Sequence, residues 1–355
     1  MDSENLNMAF ANTLLKWNKT HNKRQMPWKG EKNPYFIWLS EIILQQTRVE
    51  QGLPYYQRFI KQFPTVQHLA NAPLDVVMAA WQGLGYYSRA RNLQSAAQYV
   101  TTELKGVFPT KYEDILKLKG VGDYTAAAIA SFAYNEARAV IDGNVIRVLA
   151  RIFGITTPYD TTAGKKQFTT LAQQLLDKKK AGIYNQAIMD FGALICTPKN
   201  PQCQVCPFQK TCAAFQQNLI DTLPVKSKKI KLKERFFHYL LIVADGKILI
   251  EQRKKKDIWQ NLYQLPLIET GNATPPSLAA IKKLTGLKNV KVKQQEPATT
   301  QLLSHQKIYF TFTELNGTTI TNVKITDCLW VSLKNLKQFA FPRTIHLFLK
   351  QNSLL

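Results

Sequence analysis

The chain has 355 residues, of which 45% are hydrophobic, so it is long enough for two domains and too apolar for a disordered protein. Lysine and arginine number 47 against 24 acidic residues, a formal net charge of +23 at pH 7. This excess is spread along the chain and favours a polyanionic partner, since each phosphate contact releases counterions. The N-terminus shows no signal peptide, and the longest uncharged apolar stretch, 124–134, is too short to span a membrane. We therefore expect a cytoplasmic protein without a membrane partner.

The first part of the chain, from residue 8 to about 217, is predicted to be helical throughout. Its apolar residues recur at three- and four-residue spacing, which is typical of helices that bury one face. Prolines stand where such helices would start or stop. The clearest helical segments are 37–51, 90–104, 124–134 and 145–153, and the prolines are Pro34, Pro54, Pro64, Pro73 and Pro109.

The composition changes at 222–235, where six Lys or Arg surround a single Glu, and this predicts an exposed linker. After it the pattern is typical of strands, interrupted by one helical stretch at 277–285. The fold class is therefore multidomain, with an all-α domain at 1–220, a basic linker at 221–235 and an α+β domain at 236–355. The predicted strands are 236–244, 247–252, 290–293, 308–313 and 327–331.

Four of the five cysteines, Cys196, Cys203, Cys206 and Cys212, are separated by six, two and five residues. In a chain without an export signal this cluster favours metal over disulfides. Four thiolates in so short a loop can bind one small iron–sulfur cluster. The alternatives are a zinc ion on four thiolates, or free thiols. Zinc sites usually show two Cys-x-x-Cys pairs, and only one is present, so one [4Fe–4S] cluster is the favoured cofactor.

A glycine-containing turn between two predicted helices is a candidate phosphate site. Gly120 and Gly122 permit a tight turn with exposed backbone N–H groups. The helix that follows directs its positive end to the same point, so the turn would bind a phosphate without reading base sequence. Taken alone, a Gly-x-Gly pair between helices is more often an ordinary turn.

Two carboxylates are candidates for chemistry. Glu41 shares the polar face of a predicted helix with Gln45 and Arg48, and Asp142 precedes another helix. The alternatives are a solvated surface glutamate and a helix N-cap aspartate. Hydrolysis of an N-glycosidic bond needs an acid for the leaving base and a negative charge near the sugar cation. Glycoside hydrolases use a carboxylate pair for the same purpose, but spacing alone does not pair these two.

Several motifs occur in order over residues 24–217, and together they decide between these alternatives. In them the chain resembles the helix-hairpin-helix glycosylases of the endonuclease III superfamily, and within it the MutY-type adenine DNA glycosylases. The motifs are 27–28, 39–41, 44–49, 81–93, 119–126, 142–145 and the four cysteines.

The resemblance implies roles for the catalytic residues. Glu41 matches the glutamate that protonates adenine, and Asp142 matches the aspartate that stabilises the sugar cation. Asn144 matches a residue that supports this aspartate. Tyr124 lies at an active-site position where bifunctional relatives carry lysine, the Schiff-base nucleophile. Because tyrosine cannot form a Schiff base, the resemblance implies a monofunctional enzyme that leaves an abasic site and an intact strand.

The resemblance also implies residues that contact the bases once the adenine has been flipped out of the duplex. One set penetrates the duplex or fills space around the lesion, and a second set lines the adenine pocket. A glutamine suits the pocket, since its amide can pair with an adenine edge. The first set is Gln46, Thr47, Leu84 and Tyr86, and the second is Arg24, Trp28 and Gln186.

The region 236–355 is similar to the Nudix-like domain of MutY enzymes. The metal-binding box of Nudix hydrolases is absent from the helix at 277–284, so no nucleotide hydrolysis is expected. The family's lesion-reading loop, Phe-Ser-His, corresponds here to Leu303, Ser304 and His305, without the aromatic residue. Ser304 and His305 are therefore expected to bind the lesion, and an ordinary polar turn is the alternative.

The expected function is removal of adenine opposite 8-oxoguanine or guanine in double-stranded DNA, by a monomer associated with the nucleoid of a prokaryote. A glycosylase–lyase acting on oxidised pyrimidines or another mismatch is a second hypothesis, and Tyr124 counts against it. A catalytically silent DNA-binding module is a third, and retention of both Glu41 and Asp142 counts against it.

Overall fold

The chain forms two compact units that are not simply its two halves. The computed structural model describes residues 3–227, 232–287, 291–295, 299–316, 325 and 327–355. The first unit comprises Met1–Asn71 and Ser95–Lys229, and the second comprises Ala72–Gln94 and Ile230–Leu355. The sequence does not predict that residues 72–94 belong with the C-terminal region. The boundary at 221–235 stays a prediction.

Helices account for the regular structure up to residue 227. None of the helices in the described ranges is long and apolar enough to cross a membrane. In chain order they are α1 (Ser3–His21), α2 (Pro34–Leu44), α3 (Val49–Gln62), α4 (Val66–Asn71), α5 (Leu74–Trp81), α6 (Ser88–Thr102), α7 (Tyr112–Ile115), α8 (Asp123–Tyr134), α9 (Gly143–Phe153), α10 (Thr162–Leu175), α11 (Ala181–Leu194) and α12 (Ala213–Gln216).

The prediction of a single helix at 37–51 is wrong, because helix α2 ends at Leu44 and helix α3 begins only at Val49. Gln46 has a left-handed backbone, with φ of 56°, which ends regular α-helical hydrogen bonding after Leu44. Pro54 was expected at a helix boundary but lies inside α3. Its missing N–H removes one intrahelical bond, and burial of Tyr56 and Phe59 offsets the loss.

The core of the first unit forms where α1, α9, α10 and α11 pack together. Leu14, Leu149 and Phe191 are fully buried in it, and the ring of Trp17 meets that of Phe191 edge-on at 5.0 Å. Phe208, from the cysteine loop, stacks on Phe10 of α1 at 4.9 Å. The cysteine loop is therefore anchored to the helical core by its own aromatic side chain.

The second unit is built around one mixed sheet. Its described strands run in the order β3-β2-β1-β7-β5, and β4, β6 and β8 pair with β1, β7 and β2. Strands β1 and β7 are parallel and the other pairs are antiparallel. The strands are β1 (Lys233–Ala244), β2 (Lys247–Gln252), β3 (Tyr263–Gln264), β4 (Leu267–Thr270), β5 (Lys291–Gln295), β6 (Thr299–Leu302), β7 (Gln306–Asn316) and β8 (Cys328–Ser332), and the helices are α13 (Leu278–Thr285) and α14 (Arg343–Gln351).

The expected order, a helical region followed by an α+β region, is confirmed. The predicted strands lie within β1, β2, β5, β7 and β8 or differ from them by a few residues, although residue 290 lies outside the described ranges. Strands β3, β4 and β6 and helix α14 were not predicted. Helix α14 packs on the sheet, where Phe348 stacks on Phe312 at 3.9 Å.

Most described residues of the predicted 221–235 linker are exposed, but two of them make buried or partly buried contacts. Leu223 is buried, and its carbonyl accepts a hydrogen bond from Nε of Arg151. Arg235 belongs to β1, and its side chain, 10% exposed, binds Asp257 and Glu269. The partners of Arg235 come from residues 22 and 34 positions later in the chain, so the basic composition of the segment does not reveal them. Residues 228–231 lie outside the described ranges.

Candidate active site

Glu41 lies on α2 in a setting unlike that of a surface glutamate. It is only 5% exposed, because the residues around it on α2 are also buried. Tyr124, on α8, donates its hydroxyl hydrogen to Oε2 of Glu41 over 2.7 Å. Burial raises the pKa of Glu41 to about 7; the hydrogen bond from Tyr124 opposes this shift, and the charge of Asp142 adds to it. The carboxyl can therefore hold a proton at neutral pH and release it to a bound group.

Asp142 is both the N-cap of α9 and a neighbour of Glu41. Its Oδ1 accepts from the backbone N–H of Val145 at 2.7 Å, and its Oδ2 accepts from Nδ2 of Asn144 at 2.6 Å. Burial raises the pKa of Asp142, while these hydrogen bonds favour the ionised form. The N-cap interpretation is therefore correct, and it does not exclude the catalytic one. The cap fixes the orientation of the carboxylate.

A chain of hydrogen bonds connects this aspartate with the cysteine loop. Oδ1 of Asn144 accepts from Nη2 of Arg147 at 3.0 Å, and Nε of Arg147 donates to the carbonyl of Cys196 at 2.7 Å. Gly192 leaves room for this arrangement, since a Cβ there would lie 2.6 Å from Cβ of Asn144. The position of the cysteine loop and that of Asp142 are thus coupled.

A cavity of about 190 Å³ opens beside Glu41 and is the candidate base pocket. Trp28 and Gln186 line it, whereas Arg24 does not. Arg24 instead binds Asp190, a fully buried residue of α11, over 2.9 Å. The ion pair with Asp190 holds the guanidinium of Arg24 away from the cavity in this structure, and a contact of Arg24 with the base stays a prediction.

The glycine turn lies between α7 and α8 as predicted. Gly120 has φ of 81°, a conformation that favours glycine, and the N–H of Val121 closes the turn on the carbonyl of Leu118 at 3.0 Å. Gly122 is the N-cap of α8 and provides no side-chain cap. The first N–H groups of α8 are therefore available to an anion.

The four cysteines line one cavity in the first unit. Burial, together with the charges of the other cysteines, raises the pKa of Cys206 to about 11. Nη1 of Arg151, a buried cation, lies 3.6 Å from Sγ of Cys196. Four thiolates in this cavity would repel one another unless a cationic group bound them, so the donor set fits a metal cofactor. Within the described ranges, no three His, Cys, Asp or Glu side chains are arranged to hold a single metal ion.

Gln46 and Thr47 form the turn that separates α2 from α3. The N–H of Thr47 bonds to the carbonyl of Leu44 at 3.1 Å, so the turn is ordered by its own backbone. Both side chains are partly exposed or exposed. They are therefore accessible to a ligand, and their predicted contact with a duplex stays a prediction.

The predicted lesion-contacting residues of the second unit come from two chain segments. The hydroxyl groups of Tyr86 and Ser304 are hydrogen-bonded, although the residues are 218 positions apart. Tyr86 is 47% exposed, whereas Leu84 is only 5% exposed and so is buried in this structure. His305 is exposed, and Leu303 packs against the core of the sheet. Leucine therefore fills an apolar position at 303.

Comparison with known proteins agrees with this architecture. A family profile described as the HhH-GPD superfamily of base excision DNA repair proteins matches residues 39–192, and a NUDIX domain profile matches 238–351. The adenine DNA glycosylase of Buchnera aphidicola subsp. Schizaphis graminum is 32% identical over 350 residues, which cover 96% of this chain and 98% of the relative. The chain belongs to the adenine DNA glycosylase family.

Other members and neighbours of the adenine DNA glycosylase family match parts of the chain. The mouse adenine DNA glycosylase is 43% identical over 218 residues, which are 59% of this chain and 42% of the mouse protein. The solved structure of a thermostable thymine-DNA glycosylase matches 61% of the chain and all of its own, with 28% identity and a TM-score of 0.57. A trapped endonuclease III–DNA intermediate has 20% identity and a TM-score of 0.53, and it shares the fold over 62% of the chain.

In this member of the adenine DNA glycosylase family, the sequence did not predict most of the residues that line the candidate base pocket. The missed residues share no motif, since they come from α1, from the loop before α2, from α2 itself and from α8 and α11. Only their common cavity relates them. They are Asn18, Lys29, Gly30, Glu31, Lys32, Ile37, Ser40, Phe132, Gly182 and Ile183.

Proposed function

We propose that the protein hydrolyses the N-glycosidic bond of adenine mispaired with 8-oxoguanine or guanine in duplex DNA. The observation that carries this proposal is a buried glutamate, Glu41, whose pKa of about 7 gives it a transferable proton beside a cavity. A second carboxylate, Asp142, is close enough for its charge to raise that pKa. The adenine DNA glycosylase names of the relatives support adenine as the base.

Glu41 would protonate the departing adenine. At neutral pH a large fraction of Glu41 is protonated, since its pKa is about 7, and the hydrogen bond from Tyr124 fixes one carboxyl oxygen. Proton transfer to a ring nitrogen makes the base a better leaving group, because the bonding electrons of the C1′–N bond move into a neutral purine. Glu41, then ionised, would accept a proton from the water that adds to C1′.

Asp142 would stabilise the positive charge that develops on the sugar as the bond breaks. Its two oxygens are held by Val145 and Asn144, so no reorientation is needed when the charge appears. Both hydrogen bonds favour the carboxylate form, which is the form this role requires. Asp142→Asn should therefore abolish excision while leaving affinity for the lesion duplex within about tenfold.

Tyr124 supports a monofunctional reaction, because its hydroxyl cannot form a Schiff base with the sugar. The deciding assay uses a duplex with adenine opposite 8-oxoguanine, analysed with and without alkali. Strand cleavage only after alkali supports the proposal, since an abasic site is alkali-labile. Cleavage without alkali would indicate a glycosylase–lyase, and no cleavage at all would indicate a DNA-binding module. A duplex with thymine opposite guanine tests the activity named for the thymine-DNA glycosylase relative.

We further propose that Cys196, Cys203, Cys206 and Cys212 hold one [4Fe–4S] cluster. In a cubane each thiolate binds a different iron, whereas zinc requires all four sulfurs at about 2.3 Å from one ion. The four cysteines line one cavity, and their spacing, with only one Cys-x-x-Cys pair, favours the cluster over zinc. When bound, the cluster would supply a structural anchor for the loop. Anaerobically purified protein should contain about four iron and four sulfide per chain. Zinc without iron would contradict the assignment.

Duplex DNA is the proposed partner. Two features support binding to phosphates: the net charge of +23, and the N-terminus of α8 after Gly120 and Gly122, which has no side-chain cap. Contacts to phosphates do not depend on the base sequence. The chemistry also requires the adenine to leave the base stack, because Glu41 is buried. Affinity for a duplex should fall steeply with salt concentration. A salt-independent affinity would contradict this electrostatic basis.

Discrimination of 8-oxoguanine from guanine is assigned to the second unit, through Ser304 and His305 beside Tyr86. Oxidation gives guanine an N7 hydrogen and a C8 oxygen, and a hydroxyl or imidazole can sense either. Ser304→Ala with His305→Ala should lower the preference for 8-oxoguanine by a factor of about two to twelve, the worth of one hydrogen bond. Excision opposite guanine should change little. If the ratio of single-turnover rates on the two mispairs did not change, recognition of the lesion would be assigned to other residues, most simply to Gln46, Thr47, Leu84 and Tyr86.

The proposed substrate also gives the place of action. We propose that the protein works as a monomer on the chromosome, in the nucleoid of a prokaryotic cell, as the bacterial relatives support. A monomer predicts a particle of 40.5 kDa in solution, measurable by light scattering. A mass of twice that value at micromolar concentration would contradict this state.

A further inference from the structure

A fully buried aspartate adjoins the candidate base pocket without lining it. Asp190 lies on α11 with its side chain completely inaccessible to solvent. Its two oxygens accept from four side chains, two of them cationic, that arrive from distant parts of the chain. The donors are Asn22 at 2.8 Å, Arg24 at 2.9 Å, Lys29 at 3.0 Å and Gln186 at 3.1 Å.

Two of these donors, Lys29 and Gln186, also line the cavity, and Gln186 is the one with a carbonyl oxygen to offer. It precedes Asp190 by one turn of α11, and its Nε2 donates to Oδ1 of the aspartate. A carboxylate offers only acceptors, so the amide must present its NH2 group to Asp190. The reverse orientation would bring two oxygens together in a buried site. The carbonyl oxygen of Gln186, which has no partner in the described part of the chain, is therefore the atom left for a ligand.

Two cations prevent the carboxylate of Asp190 from turning away. Nη1 of Arg24 binds Oδ1, the oxygen that also accepts from Gln186, and Nζ of Lys29 binds Oδ2. Lys29 is itself tied to the carbonyl of Arg24 at 2.9 Å. A glutamine amide in solvent adopts both orientations at little cost, whereas here one orientation is imposed by a charge that three other side chains hold.

We propose that Asp190 is a positioning residue that fixes the amide of Gln186 as a hydrogen-bond acceptor toward the base. The pocket then favours a purine with an amino group at position 6, which donates to the carbonyl. It disfavours a 6-oxo purine such as hypoxanthine, whose oxygen would face another oxygen. This inference rests on the proposed function, since it assigns base selectivity to the same pocket.

The test compares two purines that differ along the N1–C6 edge: adenine has a 6-amino group and an acceptor N1, and hypoxanthine has a 6-oxo group and a hydrogen on N1. Single-turnover excision is measured on one duplex sequence that carries adenine or hypoxanthine opposite 8-oxoguanine. Asp190→Asn frees the amide to adopt either orientation, so the ratio of adenine to hypoxanthine rates should fall about two- to twelvefold. Gln186→Leu, which removes the amide, should lower the ratio at least as much. A parental ratio in Gln186→Leu would overturn the proposal even if the Asp190 variant failed to fold.

A double-mutant cycle separates positioning from a general structural effect. If Asp190 acts through Gln186, adding Asp190→Asn to Gln186→Leu should change the ratio less than twofold. An equal fall in both backgrounds would overturn the proposal. Glu103→Gln is the matched control: Glu103 is exposed just beyond the end of α6, outside this hydrogen-bond network, and its replacement should leave the ratio unchanged. Loss of selectivity in this control would also refute the assignment.

The outcomes distinguish this inference from the proposed function. If the parent protein excises neither base, the proposed function fails and the inference fails with it. If the parent excises adenine and the ratio is insensitive to both Asp190→Asn and Gln186→Leu, the proposed function stands and only the inference is refuted.

Discussion

Replacing Glu41 by glutamine should stabilise the folded protein at alkaline pH while it removes the proposed acid. In the folded state Glu41 is 5% exposed, and burial raises its pKa from 4.5 to about 7. In the unfolded chain the carboxyl is solvated and titrates near its ordinary value. Glutamine does not titrate, and its carbonyl can still accept the hydrogen bond from Tyr124.

The magnitude follows from the difference between the folded and unfolded pKa of Glu41. A carboxyl whose pKa is higher in the folded state contributes its full stability below the unfolded value of about 4.5. That contribution is lost as the pH rises through about 7. The difference between 4.5 and about 7, at ~1.36 kcal/mol per pH unit, amounts to about 3 kcal/mol at pH 8. At pH 4 the loss is under about 1 kcal/mol.

The assay is urea unfolding of the parent and of Glu41→Gln at pH 4 and pH 8. The variant should exceed the parent in free energy of unfolding by about 3 kcal/mol at pH 8 and by less than about 1 kcal/mol at pH 4. Glu103→Gln is the matched control, because Glu103 is an exposed residue just beyond the end of α6. Its effect should be small and equal at the two pH values.

A different result would refute the reasoning on the acid. If the advantage of Glu41→Gln were equal at pH 4 and pH 8, the carboxyl would titrate in the folded protein as it does in the unfolded chain. Glu41 would then be ionised at neutral pH, and the proposed proton donor would lack its physical basis.

Three further predictions follow from the same site. The single-turnover rate of adenine excision should fall above about pH 7, where Glu41 loses its proton, and a rate that stays constant from pH 6 to pH 9 would argue against it as the acid. In Tyr124→Lys, an amine is introduced beside Glu41, and borohydride should trap a covalent DNA adduct on a denaturing gel. Efficient trapping by the parent would contradict the monofunctional reaction. Gly192→Ala puts a Cβ 2.6 Å from Cβ of Asn144, so displacement of Asn144 and Asp142 should slow excision about 100-fold. A near-parental excision rate would show that α9 and α11 can move apart to admit the added Cβ without displacing Asp142.

The sequence predicts the local features of the site well and its long-range pairings poorly. That Asp142 begins a helix is visible from its neighbours, and the structure has it as the N-cap of α9. The bond between Glu41 and Tyr124 joins residues 83 positions apart, which no periodicity indicates. Asp190 was missed for the same reason. On α11 it is one polar residue among apolar neighbours, and only partners 161 to 168 residues away explain its burial.

The breaks in regular structure were equally difficult to predict. The apolar side chains of residues 37–51 keep a helical spacing across the turn at Gln46. The spacing therefore does not predict the left-handed backbone conformation of Gln46. Strands β3 and β4 are too short to show an alternation of their own and exist because longer strands pair with them. The sequence thus predicts an element when its own residues determine it, and fails when a partner elsewhere does.

The assignment of residues 72–94 to the second unit has a consequence for synthesis on the ribosome. The partners of Gln82, Tyr87 and Arg91 in that unit lie 264, 254 and 169 residues later in the chain. At a translation rate of about 5–20 residues per second, the segment waits roughly 10–50 s for these partners to emerge. During this interval the nascent chain carries Trp81, fully buried in the finished protein, without the other part of its unit. Slow codons after residue 94 would lengthen this exposure and favour aggregation, while a chaperone bound to the segment would prevent it.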